Sequence, residues 1–545
     1  MKTRFTLFTF LLLSLTGLNA QTELTDAFAV PLKPQSPVFG KDIVINDSSS
    51  QNQRQVVVRS AFNGWLYAEY SAIDPVYNTP VSTVMKSVDN GLSWSVLINL
   101  VWPGPYKSFI STDMAVSGDS ISNLKLFLAW VASVSSDPSA DRGDAWISRF
   151  NGVTGDNDYG FIMDAGISCI ALATDFMYPA SNSNPHSLGI LYSKYSASSD
   201  TIIFRSSSNG GTSFDYRQRI ASSTDRIFKV ALAYGRSQSY SSGRYFAAWE
   251  EKASLGSTIG HIYTAHTEPN FNSPFTTPVQ LDALDPSDLN MCRNPTIACQ
   301  YNNADNDSAN LTEVVLFEKY KPASGDYDVM GYYNLQAATT SHFRPLNIAA
   351  TANNEIQPDI SFNPYNSKFM VTYFDSTDKK LPFLTNDVNL ANPNSWNVVS
   401  QGYNDNSNLV APYPKVELNF AQQNGINAWI SEGTGGNGIA LFDAPYSTYT
   451  GVSGNNSSTT AKLIGSYPNP CSNSIKIAFE LKKTENVTID VLGIMGQPLG
   501  TVTDQTYSAG KHTVQYDVSG LPSGSYLYTV RSGDFNAIGK FTVIR

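Results

Sequence analysis

Short apolar runs alternate with turn-forming residues along almost the whole chain. One motif recurs along the chain. It starts with a polar residue or Pro, which is followed by any residue, then Ile, Val or Met, and then a small residue. A second apolar run that reaches an aromatic residue follows each copy. Runs of this length between Gly, Pro, Asn, Asp and Ser are typical of β-strands. The first runs lie at 56–58, 112–115, 168–171, 228–231, 295–298, 358–361 and 414–417. The aromatic residues are Tyr67, Trp130, Tyr192, Trp249, Phe317, Tyr373 and Trp429, spaced 56 to 68 residues apart.

Most of these units contain a third apolar run, at 84–87, 145–148, 202–205, 262–264, 329–332 and 439–442. Seven small meanders predict an all-β fold, a β-propeller of about seven blades whose radial packing buries the faces of successive sheets. Residues 42–46 precede the first unit, and we expect them to supply the outer strand that the seventh unit lacks. A solenoid and a pair of β-sandwiches are the alternatives that the repeat leaves open.

The pattern changes after a stretch rich in Ser, Thr, Asn and Gly at residues 448–462, a composition typical of linkers. Beyond it, runs such as 475–479, 487–491 and 525–530 alternate between apolar and polar residues with a period of two. Alternation of this kind between closely spaced turns predicts a small Ig-like β-sandwich at residues 463–545.

This tail carries several short motifs in a fixed order. They are Tyr467-Pro468-Asn469-Pro470, 490–493, 509–512, 521–526 with Gly524 and Tyr526, and 539–543 with Lys540. Together they resemble the type A C-terminal sorting domain of the type IX secretion system of Bacteroidetes. The resemblance covers the whole tail and implies the type IX machinery as a partner, with the protein released or held on the outer cell surface. An ordinary Ig-like binding module is the alternative.

The N-terminus has the features of a secretory signal peptide. Lys2 and Arg4 precede an apolar stretch at 5–18, and Ala20 is the small residue expected before cleavage. The stretch is shorter than a membrane span of about 20 residues, and no later segment is apolar enough to be a transmembrane anchor. We therefore expect a signal peptide at 1–20, a propeller at 21–447, a linker at 448–462 and a sorting domain at 463–545.

The charge balance narrows the range of partners. The chain has 46 Asp and Glu against 36 Lys and Arg, a net charge of −10, and only 15% of its residues are charged. This balance argues against nucleic acid or an anionic membrane as the partner. An extracellular glycan or protein is the expected ligand.

Two eight-residue segments strengthen the propeller prediction. Residues 87–94 contain Ser87, Asp89, Gly91 and Trp94, and residues 207–214 contain Ser207, Asn209, Gly211 and Phe214. Both resemble the Asp-box (BNR) repeat of sialidase-like propellers, which is structural in that family. The residue types suit a hairpin, since Asp or Asn bonds the local backbone and Gly adopts positive φ.

The resemblance to sialidases also implies a catalytic set: three arginines for the substrate carboxylate, an Asp that acts as the acid/base, and a Tyr–Glu nucleophile pair. The Phe/Tyr-Arg-Ile-Pro motif of that family is absent, and the nearest match, Arg59, is followed by Ser60. We therefore assign no catalytic residue and expect binding of glycan or protein without catalysis. A sialidase-like exo-glycosidase and a structural adhesin are the alternatives.

Ligands of propellers gather at the mouth of the central channel, near the innermost strands. The polar residues that the repeat places there are Arg59, Asp113, Lys229, Asp359 and Lys415, which we predict as ligand-binding residues. They would otherwise form the polar lining of a water-filled channel.

Signals for cofactors, metals and disulfides are weak. We expect no cofactor and assign no metal ligand; the acidic loop at 156–160 is the best candidate for Ca²⁺, with a solvated turn as the default. The histidines are predicted to lie at the surface. Cys292 and Cys299 flank an extended segment too long to bridge, so the four cysteines are predicted to be buried free thiols.

Overall fold

The protein is described by a computed structural model. It covers residues 38–39, 42–46, 52–446 and 461–544, except 75, 103, 119, 137–141, 176–187, 237–242, 255, 258, 268–272, 285–290, 302–310, 336–341, 388–389, 391–392, 406, 421, 433–436, 494–497 and 533–534. The predicted signal peptide and residues 448–460 of the predicted linker lie outside the described residues. The chain forms two compact units, of which the first is Val38–Tyr446 and the second contains the C-terminal residues.

The first unit begins with two short strands, followed by three blades. The short strands are β1 (Val38–Phe39) and β2 (Ile43–Val44). Blade 1 contains β3 (Arg54–Ser60), β4 (Leu66–Ile73), β5 (Pro80–Ser87) and β6 (Ser95–Val101). Blade 2 contains β7 (Ser108–Ser117), β8 (Lys125–Ser133), β9 (Gly143–Asn151) and the first part of β10 (Asn157–Thr174). Blade 3 contains the rest of β10 with β11 (Leu188–Tyr195), β12 (Asp200–Ser207) and β13 (Tyr216–Ser223).

Four further blades and two single-turn 3₁₀ helices complete this unit. Blade 4 contains β14 (Arg226–Gly235), β15 (Arg244–Lys252), β16 (His261–His266) and β17 (Val279–Gln280). Blade 5 contains β18 (Cys292–Cys299), β19 (Glu313–Lys321), β20 (Asp326–Asn334) and β21 (Arg344–Ala349). Blade 6 contains β22 (Glu355–Asn363), β23 (Lys368–Asp375), β24 (Phe383–Asp387) and β25 (Asn397–Ser400). Blade 7 contains β26 (Lys415–Asn419), β27 (Asn424–Glu432) and β28 (Gly438–Asp443), followed by β29 (Pro445–Tyr446), and the 3₁₀ helices are Ile121–Asn123 and Asp282–Leu284.

Seven inner strands form a closed ring, which confirms the predicted propeller. Each of β3, β7, β10, β14, β18, β22 and β26 packs against the next in chain order, and β26 packs against β3. Within every blade, neighbouring strands are antiparallel, and they follow chain order from the inner strand outward except for the outermost strand of blade 7. This arrangement excludes the solenoid and the pair of sandwiches.

The N-terminal strand β2 completes the last blade. Ile43 pairs with Phe442 and Val44 with Leu441, so β2 is the fourth strand of blade 7. The backbone N–H of Ile45 continues the ladder by donating to the carbonyl of Ala440 over 2.9 Å. The expected closure of the ring by residues 42–46 is therefore confirmed.

Blades 2 and 3 share one long strand. The first part of β10 pairs with β9 up to Ile167, as the outer strand of blade 2. From Ile167 onward the same strand pairs with β11 as the inner strand of blade 3. Gly166 precedes this switch and has a φ of +72°, a conformation that glycine adopts without a steric penalty.

The apolar core lies between successive blades. Six of the seven repeated aromatic residues are fully buried, and the seventh, Tyr373, is partly buried: the buried ones are Tyr67, Trp130, Tyr192, Trp249, Phe317 and Trp429. Each belongs to the second strand of its blade and packs in the layer that separates two sheets. The period of the repeat thus reflects one buried aromatic residue per blade.

The segments 87–94 and 207–214 form two hairpins with the same hydrogen bonds. In the first, Ser87 Oγ accepts the N–H of Gly91 at 2.8 Å, and Asp89 Oδ1 accepts the N–H of Ser93 at 2.9 Å. The corresponding distances in the second, from Ser207 to Gly211 and from Asn209 to Ser213, are both 2.9 Å.

The glycine of each hairpin lies against a neighbouring blade. Gly91 has a φ of +89°, and a Cβ there would stand 2.1 Å from the ring of Phe442. Gly211 has a φ of +77°, and its Cβ would stand 2.3 Å from the ring of Phe127. Trp94 closes the first hairpin by donating its indole N–H to the carbonyl of Gly91 at 3.0 Å.

The C-terminal unit is a sandwich of a three-stranded and a four-stranded sheet. Its strands are β30 (Ala461–Tyr467), β31 (Ser474–Leu481), β32 (Glu485–Gly493), β33 (Pro498–Tyr507), β34 (Gly510–Asp517), β35 (Gly524–Ser532) and β36 (Phe535–Val543). The sheet orders are β30-β31-β34 and β33-β32-β35-β36. Apolar residues at alternate positions of the strands, such as Ile475, Ile477 and Phe479 on β31, lie between the two sheets and form the core. The predicted Ig-like sandwich is confirmed.

The motif residues of the tail cluster around its last strand. Tyr467 ends β30, Gly524 begins β35, and Lys540 lies on β36, where its carbonyl accepts the side-chain N–H of Asn469 at 3.2 Å. Tyr526 stacks on Phe541 with the ring centroids 5.5 Å apart. Pro468 and Pro470 lie in the turn that follows β30. The motifs at the two ends of the tail therefore meet in space.

Some expectations need adjustment. Ala461 and Lys462 pair with Leu481 and Glu480, so β30 includes the last two residues of the predicted linker. The surface prediction is wrong for His266, which is buried against the ring of Phe246. All four cysteines are buried free thiols, as predicted. Among the described residues, no helix is long and apolar enough to cross a membrane.

Candidate functional site

A cavity of about 930 Å³ runs along the axis of the propeller. The inner strands of all seven blades line it, because each presents one edge of its blade to the axis. Its volume falls within the range of roughly 300–1,000 Å³ of pockets for small molecules. The cavity is therefore the natural place for a ligand.

The two ends of the cavity differ in exposure. Where the inner strands begin, Val410 and Tyr413 are 68% and 51% exposed although both line the cavity. Where the inner strands end, the lining rings are buried: Tyr234, Tyr301, Phe362 and Phe420. We call the exposed end, where the inner strands begin, the mouth.

β-bulges shape the mouth. The register of six inner strands shifts close to their starts, and several bulged or adjoining residues have positive φ. These are Gln55, Asn294 and Gln357, with φ between +52° and +56°; Tyr413 has a φ of +45° and precedes β26, whose register does not shift. Bulges re-aim side chains and are common beside functional sites. All four residues line the cavity.

Three backbone N–H groups at the mouth have side-chain acceptors. The N–H of Asn294 donates to Glu250 at 2.9 Å, and that of Gln357 donates to Glu318 at 2.8 Å. The N–H of Tyr413 donates to the side-chain carbonyl of Gln357 at 2.9 Å. Because each acceptor belongs to the preceding blade, these bonds hold the mouth together while its side chains stay directed to the cavity.

Below the mouth, Arg59 joins three blades. Its Nη2 lies 2.9 Å from Asp113 Oδ1, its Nη1 lies 3.4 Å from Glu417 Oε2, and its Nε donates to the carbonyl of Met114 at 2.8 Å. Asp113 Oδ2 accepts the N–H of Leu172 at 2.8 Å. The guanidinium thus links blade 7, blade 1 and blade 2.

A second ion pair joins blades 6 and 7. Lys415 Nζ lies 2.9 Å from Asp359 Oδ1, and Asp359 Oδ2 accepts the N–H of Val416 at 2.9 Å. Glu417 accepts the N–H of Leu418 at 2.8 Å. Burial raises the pKa of Glu417, and the charge of Arg59 opposes that rise.

Lys229 differs from the other cations below the mouth. It has no ion-pair partner among the described residues, and its side chain is exposed to the cavity while protein surrounds it. This enclosure lowers its pKa, and Lys415 lowers it further. Lys229 is therefore a cation for which the described part of the chain supplies no close counter-ion.

All five residues predicted to bind ligand line this one cavity. Arg59 pairs with Asp113, Lys415 pairs with Asp359, and Lys229 stands apart. Glu417 was missed although it ends the same repeated segment as Lys415. Tyr413 and the bulge amides were also missed, because nothing in the sequence pattern identifies a bulge.

The buried end of the cavity holds a second polar cluster. Arg236 Nη1 lies 2.5 Å from Asp175 Oδ2, and Asp175 also accepts hydrogen bonds from the hydroxyls of Tyr301 and Tyr234. Burial raises the pKa of Tyr234 and that of Tyr301 well above the usual value of a tyrosine hydroxyl. Since the four residues come from blades 3, 4 and 5, the cluster ties those blades together.

The acidic loop at 156–160 and the arginines of the cavity bear on the calcium candidate and on the sialidase-like alternative. Asp158 of the acidic loop is paired with Lys125 at 2.8 Å and with Arg149 at 2.9 Å, so its charge is already balanced. No group of three metal-ligating side chains occurs within the described ranges. Among the described residues that line the cavity, the arginines are Arg54 and Arg59.

Comparison with known proteins identifies the tail. Residues 466–544 match the model of the secretion system C-terminal sorting domain. The protein is therefore a cargo of the type IX secretion system, carrying a β-propeller for export to the cell surface or beyond. A search of curated protein sequences finds no match to the chain.

Several solved structures are similar to the propeller. The α-L-arabinanase of Penicillium chrysogenum in complex with arabinobiose is 11% identical, with 75% of this chain and 98% of that chain covered and a TM-score of 0.41. A mutant of NanB sialidase from Streptococcus pneumoniae is 10% identical over 64% of this chain and 69% of that chain, with a TM-score of 0.39. The endosialidase of phage phi92 is 10% identical over 76% and 70%, with a TM-score of 0.40. At these values no function is transferred, and the fold rests on the strand pairing given above.

Proposed function

We propose that the exported propeller binds a glycan at the mouth of its central cavity and does not hydrolyse it. One observation carries the proposal: the three carboxylates below the mouth, Asp113, Asp359 and Glu417, all hold neighbouring blades together. Groups that maintain the ring in this way are poorly placed to exchange protons with a substrate.

The other groups at the mouth suit a sugar. Gln55, Asn294 and Gln357 carry side-chain amides that are only partly used within the chain: Gln55 and Asn294 donate and Gln357 accepts, which leaves two amide carbonyls and one amide NH₂ for sugar hydroxyls. Tyr413 and Val410 add an exposed apolar surface on which the face of a sugar ring can lie. An amide-rich pocket beside an exposed aromatic ring supports glycan binding more directly than protein binding.

Glycoside hydrolysis is the second candidate. It requires two carboxyl groups flanking the scissile bond, one of them protonated. The raised pKa of Glu417 favours this candidate, and Glu432 offers an exposed carboxylate at the edge of the cavity. A structural adhesin is the third candidate and predicts no binding of soluble glycans.

The test combines binding and turnover on the full chain. We expect glycan-array binding without release of fluorophore from fluorogenic glycosides. Tyr413→Ala should weaken binding by about tenfold, the order expected for losing an aromatic contact. Tyr365→Ala is the matched control, because Tyr365 is 47% exposed on the same unit and does not line the cavity. Turnover that is lost in Glu417→Gln or Glu432→Gln would instead establish a hydrolase.

The export route is proposed in finer terms. We propose that residues 1–20 direct the chain across the inner membrane of a Bacteroidetes bacterium and that residues 463–545 direct it across the outer membrane. Deleting 463–545 should leave the protein in the periplasm, as measured by cell fractionation and immunoblotting. Unchanged export after that deletion would refute the second step.

A further inference from the structure

The charges below the mouth are equal in number, three cations and three carboxylates, but not every cation is in contact with a carboxylate. Arg59 contacts both Asp113 and Glu417, and Lys415 contacts Asp359, so two cations occupy three carboxylates. Lys229 has no such contact among the described residues. The cavity therefore contains one ammonium group without a close counter-ion.

The carboxylate nearest to Lys229 in the sheet is already engaged. Glu250 is the cross-strand neighbour of Lys229 on β15. Glu250 Oε1 lies 2.6 Å from Lys252 Nζ, and its Oε2 accepts the N–H of Asn294 at 2.9 Å. Glu250 is therefore held by blades 4 and 5 and is not available as a partner for Lys229.

The surroundings of Lys229 disfavour its charged form. Burial lowers the pKa of Lys229 and the charge of Lys415 lowers it further, while the charges of Asp113 and Asp359 oppose this effect only in part. A bound anion reverses this cost, because an opposite charge within about 4–6 Å favours the charged form of a buried lysine. An ammonium presents three donors as a compact point charge, which suits the oxygens of a carboxylate or a sulfate.

We infer that Lys229 binds an anionic substituent of the ligand, so that the glycans held at the mouth are acidic. This inference rests on the proposed glycan binding and adds the chemical class of the ligand. The anionic group lies between Lys229 and Lys415, and the neutral part of the sugar extends to the amides and Tyr413 at the mouth.

The experiment measures the affinity of the full chain by calorimetry for three oligosaccharides of equal length. They are a neutral galacto-oligosaccharide, an oligogalacturonide that carries carboxylates and a sulfated galacto-oligosaccharide. We expect at least one acidic oligosaccharide to bind about tenfold more tightly than the neutral one, as for a charge-assisted contact. The two acidic arms distinguish a carboxylate from a sulfate as the preferred group.

Three variants assign the preference to Lys229. Lys229→Met should reduce the affinity for the acidic ligand to that which the same variant shows for the neutral one. Lys229→Arg should keep the preference, because it keeps the charge. Lys368→Met is the matched control, since it removes a cation that lies outside the cavity lining in the same unit.

The outcomes separate this inference from the proposed function. Equal affinity for neutral and acidic ligands, or a preference that survives in Lys229→Met, would refute the role of Lys229 and leave glycan binding intact. Binding of none of the three, together with an empty glycan array, would refute both. Near-ultraviolet circular dichroism of each variant confirms that its tertiary structure is retained.

Discussion

Arg59 and Glu417 form an ion pair between the first and the last inner strand, with Nη1 3.4 Å from Oε2. The same two blades are joined at the outer edge by the pairing of β2 with β28. The ring is therefore closed twice, once beside the cavity and once at its outer edge.

The inner closure predicts the effect of removing Arg59. Arg59→Met leaves Asp113 and Glu417 without their cation, and both lie largely away from solvent. We expect the free energy of unfolding to fall by about 2–4 kcal/mol, the range for breaking a partly buried ion pair by deleting one partner. Urea unfolding followed by tryptophan fluorescence measures the change.

The matched control for Arg59→Met is the double variant Arg59→Met/Glu417→Gln. Neutralising Glu417 removes one of the two carboxylates left without a partner, so the double variant should be more stable than the single one. Equal stabilities of the two variants would show that the pair contributes nothing to closure.

The hairpin glycines predict a contrast between neighbours. In Gly211→Ala the new Cβ would lie 2.3 Å from Phe127 at a φ of +77°, whereas Gly210 has a φ of +64° and no atom within 4 Å of its Cβ position. We expect Gly211→Ala to cost about 2–4 kcal/mol through steric overlap and backbone strain, and Gly210→Ala about 1 kcal/mol through strain alone. Thermal unfolding of the two variants gives the comparison, and equal shifts would argue against close packing of this hairpin on blade 2.

The buried carboxyl group of Glu313 predicts a pH dependence of stability. Burial raises its pKa from 4.5 to about 7, and the hydroxyl of Thr264 donates to it at 2.7 Å. Because the folded state binds this proton more tightly, its contribution is complete below pH 4.5 and is lost as the pH rises to about 7. Glu313→Gln should remove this loss, worth up to about 3 kcal/mol at pH 8.

The measurement is the midpoint of thermal unfolding of wild type and Glu313→Gln between pH 4.5 and 8. The two curves should diverge as the pH rises, with the variant the more stable at the upper end. Glu69, whose pKa burial also raises to about 7, keeps part of the slope in both proteins. Parallel curves would show that Glu313 does not bind a proton in the folded state at neutral pH.

The outer closure predicts the effect of truncation. Removing residues 1–46 deletes β2 and exposes the edge of β28, whereas removing residues 1–37 ends before the first unit begins. We expect the longer truncation to unfold at lower temperature and to associate, because an unpaired strand edge is a template for another chain. Light scattering coupled to size exclusion tests both truncations, and identical monomers would contradict this role of β2.

The inner and second strands could be predicted because their buried positions require apolar residues, which form a recognisable pattern in the sequence. One aromatic residue per unit is needed between adjacent sheets, and Trp130 or Trp249 marks that position. Outer strands such as β13 alternate between exposed and half-buried residues. They lack a buried aromatic position, and the sequence did not predict them. The third strand of blade 6, β24, was also missed; only Phe383 and Leu384 of its five residues are apolar.

For the candidate site, the sequence predicted which strands carry the polar residues but not how those residues pair. The position of Asp113, Asp359 and Lys415 in the repeat placed them on the inner strands, and therefore at the cavity. Which of them would pair depended on contacts between blades, which a repeat within one chain does not specify. The bulges at Gln55 and Gln357 shift the alternation of side chains locally, so the amides at the mouth had no signal in the pattern.

The strand shared by blades 2 and 3 has a mechanical consequence. Elsewhere a connecting segment separates the outer edge of one blade from the cavity wall of the next, and that segment can absorb movement. Between Asn157 and Thr174 the backbone is a continuous hydrogen-bonded strand, and its last residues, including Ile170 and Leu172, line the cavity. A displacement of the outer edge of blade 2 is therefore transmitted along one strand to the wall of the cavity.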